Sequence, residues 1–409
     1  MTEGITPEIG YILLVFGLFV VPKYLQRFRL PSAVTSLVLG AALGLTWPEI
    51  AGDTTVQLFA TLGIVALFLF AGLEVEFGEL RNESRVLIWH LAVQAVVLTC
   101  LAVAAGRVLG LPDRAAALVA LALGTPSTGF ILDSLGSYGL SVRERFWVRS
   151  KAISTELVAL AVMFVVLQGD DVTRFGVSSV VLAGLVVVVP FAFRLFARVI
   201  QPFAPKSEFA FLIIVALVCA LVTRRLGVYY LVGAFLVGVA AQRFRRDLPA
   251  LASEQMLHAV EVFASFFVPF YFFKAGAHLH ADDLTRQTFL AGVALLAVAL
   301  PVRILSVVAH RRVALGEGWR AAFRVSTPLL PTLVFTLVIA EILRERFVLP
   351  SWLFGGLVWY TVLNTLIPGL VLRLPTTDPD LLAKGPDRGD PEPRRTGPEG
   401  GEPEDTASA

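Results

Sequence analysis

The sequence predicts an all-α polytopic membrane protein of about thirteen transmembrane helices: two six-helix inverted repeats joined by a linker helix. Three observations predict it. Of the 409 residues, 56% are hydrophobic and 16% charged, with a mean hydropathy of +0.76, whereas soluble domains carry about 25% charged residues. Apolar runs long enough to cross a bilayer recur along the chain. Short motifs also return at an offset of about 200 residues, the mark of an internal repeat.

The apolar runs, separated by charged or Gly/Pro-rich loops, are 8–26, 31–47, 56–77, 85–109, 112–136, 145–168, 174–199, 207–224, 228–243, 256–279, 286–308, 320–343 and 351–373. They form one membrane domain over 1–374. After Leu374 the composition turns to Pro, Gly and charge, so 375–409 reads as a disordered tail. The acidic start "MTEGITPEIG" lacks the basic segment of a cleavable signal peptide. Cys100 and Cys219 lie inside apolar runs without CxxC spacing, so neither a disulfide framework nor a zinc site has support. Loops after odd-numbered spans hold most of the Lys and Arg, among them Lys23, Arg27, Arg143, Arg145 and Arg198. The positive-inside rule then places the tail in the cytoplasm and the N-terminus outside.

"FLFAGLEVEFGEL" (68–80) resembles "YFFKAGAHLHADDL" (271–284), with Gly72 on Gly276, and "SLVLGAA" (36–42) resembles "AFLVGVA" (234–240), with Gly40 on Gly238. "GTPST" in the fifth span answers "STPLLPT" in the twelfth. The first repeat is thus 8–168, the linker 174–199 and the second repeat 207–373. Seven spans separate matched elements, and an odd number inverts the second copy in the membrane. Inverted repeats with interrupted helices are the architecture of secondary transporters, which bind their cargo near the midplane.

The interruptions are legible. "LGTPSTGF" (123–130) sets Pro126 among Thr125, Ser127 and Thr128, and "RVSTPLLPT" (324–332) sets Pro328 and Pro331 beside Thr327. Proline removes a backbone donor and clashes with the preceding turn, so each helix is expected to break there, exposing carbonyls and half-helix ends to an ion. Glu156 lies roughly midway along the sixth span, in "KAISTELVAL". An acid in that position costs about 2.5–3.5 kcal/mol even on lenient insertion scales, which argues for function. It would hold a proton and a cation in turn. Lys274, in the tenth span, needs a partner, and Glu156 is the candidate. Lys151 sits closer to a span end and can snorkel to the interface. Asn364, in the thirteenth span, matches the position of Glu156 and suits interhelical hydrogen bonding.

These residues together resemble a monovalent cation:proton antiporter of the Kef/NapA type, in the second branch of that superfamily. The resemblance covers about residues 8–374 and is carried by "FLFAGLEVEFGELR", the broken "GTPSTG" helix and "FFKAGAHLHADDL". It implies a NapA/NhaA-like fold with crossed broken helices, a homodimer, and a moving core built from spans three to six and ten to thirteen. Relatives typically carry Asp-Asp, Asn-Asp or Gln-Asp where this chain has Thr155-Glu156, so one carboxylate remains beside a hydroxyl. The family's tenth-span lysine is matched by Lys274.

The expected function is exchange of Na⁺ or K⁺ for H⁺ across an inner membrane, with Glu156 the shared carrier and cation ligand. Thr155, Thr125, Ser127, Thr128 and backbone carbonyls would complete an oxygen shell, as hard cations prefer. No cofactor is expected beyond the transported ions, and no partner beyond lipid and a second copy; nucleic acid is not one. An ion-coupled carrier of an organic solute, or this fold repurposed, is the alternative. An enzyme is disfavoured because no HExxH, GxSxG or paired-acid motif occurs and the five histidines are scattered. A gated channel of the Kef kind would add a nucleotide-binding domain.

Overall fold

The computed structural model describes residues 7–372 apart from 76–77, 79–80, 82, 170, 205–206, 228–229 and 245–252. The expected tail and part of the 68–80 motif fall outside the described residues, which form helices and no strands. In chain order the helices are α1 (Pro7–Gln26), α2 (Ser32–Thr46), α3 (Thr54–Leu73), α4 (Ser84–Leu109), α5 (Asp113–Gly124), α6 (Thr128–Leu135), α7 (Val142–Gln168) and α8 (Val172–Leu195). They continue with α9 (Glu208–Arg225), α10 (Tyr230–Arg243), α11 (Glu254–Ala277), α12 (Arg286–Leu315), α13 (Trp319–Ser326), α14 (Leu333–Arg346) and α15 (Ser351–Val371).

Local chemistry sets many of these ends. The Asp53, Ser141, Asp171, Ser253 and Thr285 side chains accept from first-turn amides and start α3, α7, α8, α11 and α12. At α7 the cap is reciprocal, because Glu144 reaches back to the Ser141 amide. Gly110 and Gly316, at φ +64° and +63°, end α4 and α12 in the left-handed conformation that glycine tolerates.

Each of the thirteen apolar stretches holds a helix or a helix pair. Nine described spans, counting α5 and α6 together as one, are long and apolar enough to cross a membrane, or ten if the bent pair α13–α14 is also one span. α2 and α10 are apolar but have only 15 and 14 residues. α9 has 18 residues but carries Glu208, Arg224 and Arg225.

α2 packs on α11, α3 on both α10 and α11, and α12 on α15. The glycines matched in the sequence meet across these seams. A β-carbon on Gly40 would collide with the Phe273 backbone, and one on Gly276 with that of Leu37. Between α3 and α10, a β-carbon on Gly72 would strike Phe235, and one on Gly238 would strike Leu69. The α3–α10 contact therefore repeats the α11–α2 contact with the two halves exchanged, as two inverted copies packed together require.

Candidate functional site

Both broken helices are present, and they cross. α5 stops at Gly124 and α6 starts at Thr128, leaving Thr125, Pro126 and Ser127 outside the helix. Thr125 (φ −89°, ψ 120°) and Ser127 (φ −87°, ψ 93°) are extended. In the second repeat α13 passes into a tight turn, Thr327–Leu329, that holds Pro328; Pro331 follows, and α14 begins at Leu333 with a bend of 47°. The Ser127 amide donates to the Pro331 carbonyl at 2.8 Å. The Val334 amide, one of the orphan donors at the start of α14, donates to Ser127 Oγ at 2.9 Å. Thr336 Oγ1 donates to the Ala122 carbonyl at 2.7 Å and Tyr360 Oη to that of Leu123 at 2.6 Å. Each break thus satisfies backbone groups that the other leaves open.

Glu156 on α7 is buried at this crossing. Its carboxylate accepts from the Thr128 amide at 3.1 Å. That amide is the first of α6, so the acid faces the positive end of a half-helix. In the same break Thr125 is fully buried, and its hydroxyl has no hydrogen-bond partner among the described residues. A buried hydroxyl left unbonded is costly, so such an oxygen is available to a ligand.

Other expected site residues lie elsewhere. Thr155 turns away from Glu156: its Oγ1 is 3.2 Å from His90 Nε2, and it lines a small cavity of about 20 Å³ with Arg303. Ser127 Oγ is committed to α14, and Thr327 Oγ1 donates back to the Phe323 carbonyl at 2.9 Å. Lys151 does not snorkel. It is fully buried, with Nζ 2.9 Å from His310 Nδ1. The His90 and His310 rings lie 5.4 Å apart, so two histidines that look scattered in sequence join Lys151 between α4, α7 and α12. Arg311, next to them, is paired with Glu317 and sits 5.6 Å from the Trp147 ring.

The expected Lys274–Glu156 pair is not formed: no hydrogen bond or ion pair joins them among the described residues. α11 packs on α2 and α3, and Lys274 lines a cavity of about 240 Å³ with Arg224, Glu341 and Glu345. A second cavity, about 270 Å³, lies nearer the other end of α11, where Glu261 and Asp133 line it with Gly129. Neither cavity is lined by Glu156.

Arg303 is the residue that the sequence reading missed. It projects from α12 into the second break, buried, and donates to the Leu330 and Leu329 carbonyls at 2.6 Å each and to Tyr360 Oη at 3.3 Å. Asn364 Nδ2 adds a bond to the Leu330 carbonyl at 2.5 Å, while its Oδ1 has no partner among the described residues. The carbonyls freed by the second break, expected to help ligate an ion, are therefore held by side-chain donors. The signal was present: an arginine within "LPVRILSV" is as costly in an apolar run as Glu156. Among the described residues no group of three His, Cys, Asp or Glu side chains could hold a metal ion.

Comparison with known proteins bears on both fold and family. The chain is 22% identical over 375 residues to the probable Na(+)/H(+) antiporter 3 of Methanocaldococcus jannaschii, covering 89% of this chain and 95% of that one. It is 25% identical over 387 residues to the Na(+)/H(+) antiporter NhaS5 of Synechocystis, spanning 52% of that longer protein. The structure of the sodium proton antiporter MjNhaP1 from Methanocaldococcus jannaschii superposes with a TM-score of 0.66 at 14% identity, covering 89% of this chain and 94% of that one. This likeness shows the same fold. The family described as "Sodium/hydrogen exchanger, transmembrane" matches residues 12–377, and the chain belongs to that family.

Proposed function

We propose that this protein exchanges a monovalent cation, Na⁺ or K⁺, for H⁺ across the membrane by alternating access, with Glu156 as the single shared carrier. One observation carries the reading: a buried carboxylate at the crossing of two broken helices, facing the first amide of α6. A proton and a hard cation both neutralise that carboxylate, so occupancy by one excludes the other. The Thr125 hydroxyl and the open backbone around Pro126 and Thr128 supply further oxygens. Thr155, which faces His90 and Arg303, is left out of the shell. The cavities toward the two ends of α11 suit routes to opposite sides of the membrane, with the acid closed off between them.

In this reading all thirteen stretches cross the membrane. The repeats 8–168 and 207–373 flank the linker 174–199, and the working unit is a homodimer in the inner membrane with its tail in the cytoplasm. The chain is a transporter to which no enzymatic step is assigned. Since Thr155 carries no proton and Lys274 forms no pair with Glu156, one cation exchanges for one proton, and the rate does not follow membrane potential.

The test uses proteoliposomes containing this protein alone. Addition of Na⁺ or K⁺ should produce an internal pH change at a clamped potential, at a rate independent of that potential. No pH response to any monovalent cation would overturn the exchange reading. A rate that tracks the imposed voltage would overturn only the one-for-one ratio.

A further inference from the structure

We propose that the groove between α12 and α13 is a binding site for one anionic phospholipid. The groove has a volume of about 740 Å³ and is almost wholly apolar, with Pro301, Leu305 and Val308 on the α12 side and Trp319 and Phe323 on the α13 side. Its shape follows from the sequence. Pro301 lies inside α12 and removes one backbone bond. Gly316 then turns the chain at φ +63° so that α13 returns alongside. Trp319, Arg320 and Phe323 recur at helical spacing on one face of α13, while Ala322, Val325 and Ser326 are buried on the other.

Two features select the occupant. The chain belongs to a transmembrane family, so bilayer lipid bathes an exposed apolar flank, here with Leu305 60% and Trp319 61% exposed. At one end of the groove stand Arg312, whose guanidinium lies 4.2 Å from the centre of the Trp319 ring, and Arg320, which lines the groove. Neither is paired with an acid among the described residues. Two unpaired guanidinium groups beside an indole match an anionic headgroup at the interface, where tryptophan concentrates. The length also fits. From Arg312 to Leu300 the helix rises about 18 Å at 1.5 Å per residue, comparable with one leaflet of a hydrocarbon core about 30 Å thick. The lipid would press on α12, which carries Arg303, and on α13, which leads into the second break.

The experiment is native mass spectrometry of the full chain, titrated with phosphatidylglycerol and with phosphatidylcholine of identical acyl chains. We expect one phosphatidylglycerol to be retained more tightly than phosphatidylcholine. Arg312→Gln and Arg320→Gln should each weaken that retention about fivefold without changing phosphatidylcholine binding; both residues are exposed, so the fold should survive. Leu305→Trp, which fills the groove, should remove the tight phosphatidylglycerol while leaving the looser lipids. Equal retention of both lipids by the wild type overturns the proposal, as does unchanged retention in the arginine variants. So does disulfide crosslinking between two Leu305→Cys chains in a bilayer, since a second copy would then cover the groove.

Discussion

The two broken helices are made from nearly the same residues and meet at the same point, yet they differ in what fills them. At the first break a carboxylate lies against the α6 amide, and the Thr125 hydroxyl is unbonded among the described residues. At the second, Arg303 and Asn364 already hold the Leu329 and Leu330 carbonyls. The first carries a buried acid supplied by α7. The second contains a permanent cation supplied by the chain. A folding symmetry therefore need not be a chemical one: both breaks support the crossing, and only the second has its carbonyls held by an arginine.

The largest expected effect comes from removing the acid. Glu156→Gln keeps an oxygen for the Thr128 amide but no charge for a cation, so exchange in proteoliposomes should fall at least about 100-fold while expression and melting temperature stay near wild type. Exchange at the wild-type rate would erase the distinction between the breaks. Arg303→Met should act on stability instead. It leaves two buried carbonyls without their charged donor, and such hydrogen bonds contribute about 1.5–3 kcal/mol each. A clear drop in the thermal unfolding midpoint is expected, with Arg303→Lys recovering part of it because an ammonium lacks the fork. If Arg303→Met melts like the wild type, the arginine is not what seals the second break.

Pro126→Ala sharpens the comparison from the other direction. A continuous helix would withdraw open backbone from the ion side, so the apparent cation KM should rise about tenfold with little loss of expression. Parallel losses in both would reduce Pro126 to a kink. The smallest effect is expected from Thr125→Val, which keeps the shape and deletes a hydroxyl with no partner among the described residues. KM should rise about threefold at constant kcat, the pattern of a lost binding contact. An unchanged KM would remove Thr125 from the shell.

What could be read from sequence divides along a physical line. Prolines, glycines and charges inside apolar runs are costly where they stand, so the breaks, Glu156 and the matched glycines announced themselves without a structure. Arg303 emits the same signal and was passed over because no motif surrounds it. Partnerships were not legible. Lys151, His90 and His310 come from three helices separated by 61 and 159 positions, and nothing local to any of them reports the others. Lys274 illustrates the opposite error. A base inside an apolar run invites pairing with the acid of another span, but α11 is seated on α2 and α3, and the half-buried lysine opens into a cavity with Glu341 and Glu345. Thr155 differs for a simpler reason: consecutive helical residues point about 100° apart, and its hydroxyl faces His90 while Glu156 faces α6.

The glycine seams bear on how this gene can change. Gly40 and Gly276 leave no room for a β-carbon against each other's helices, and Gly72 and Gly238 meet in the same way. Each seam joins one residue from each half of the chain. A mutation at one member is therefore judged by the backbone of the other half, not by its own surroundings. Two duplicated halves would ordinarily drift apart at independent rates. Here a side chain at any of the four positions would require the helix from the other half to move away.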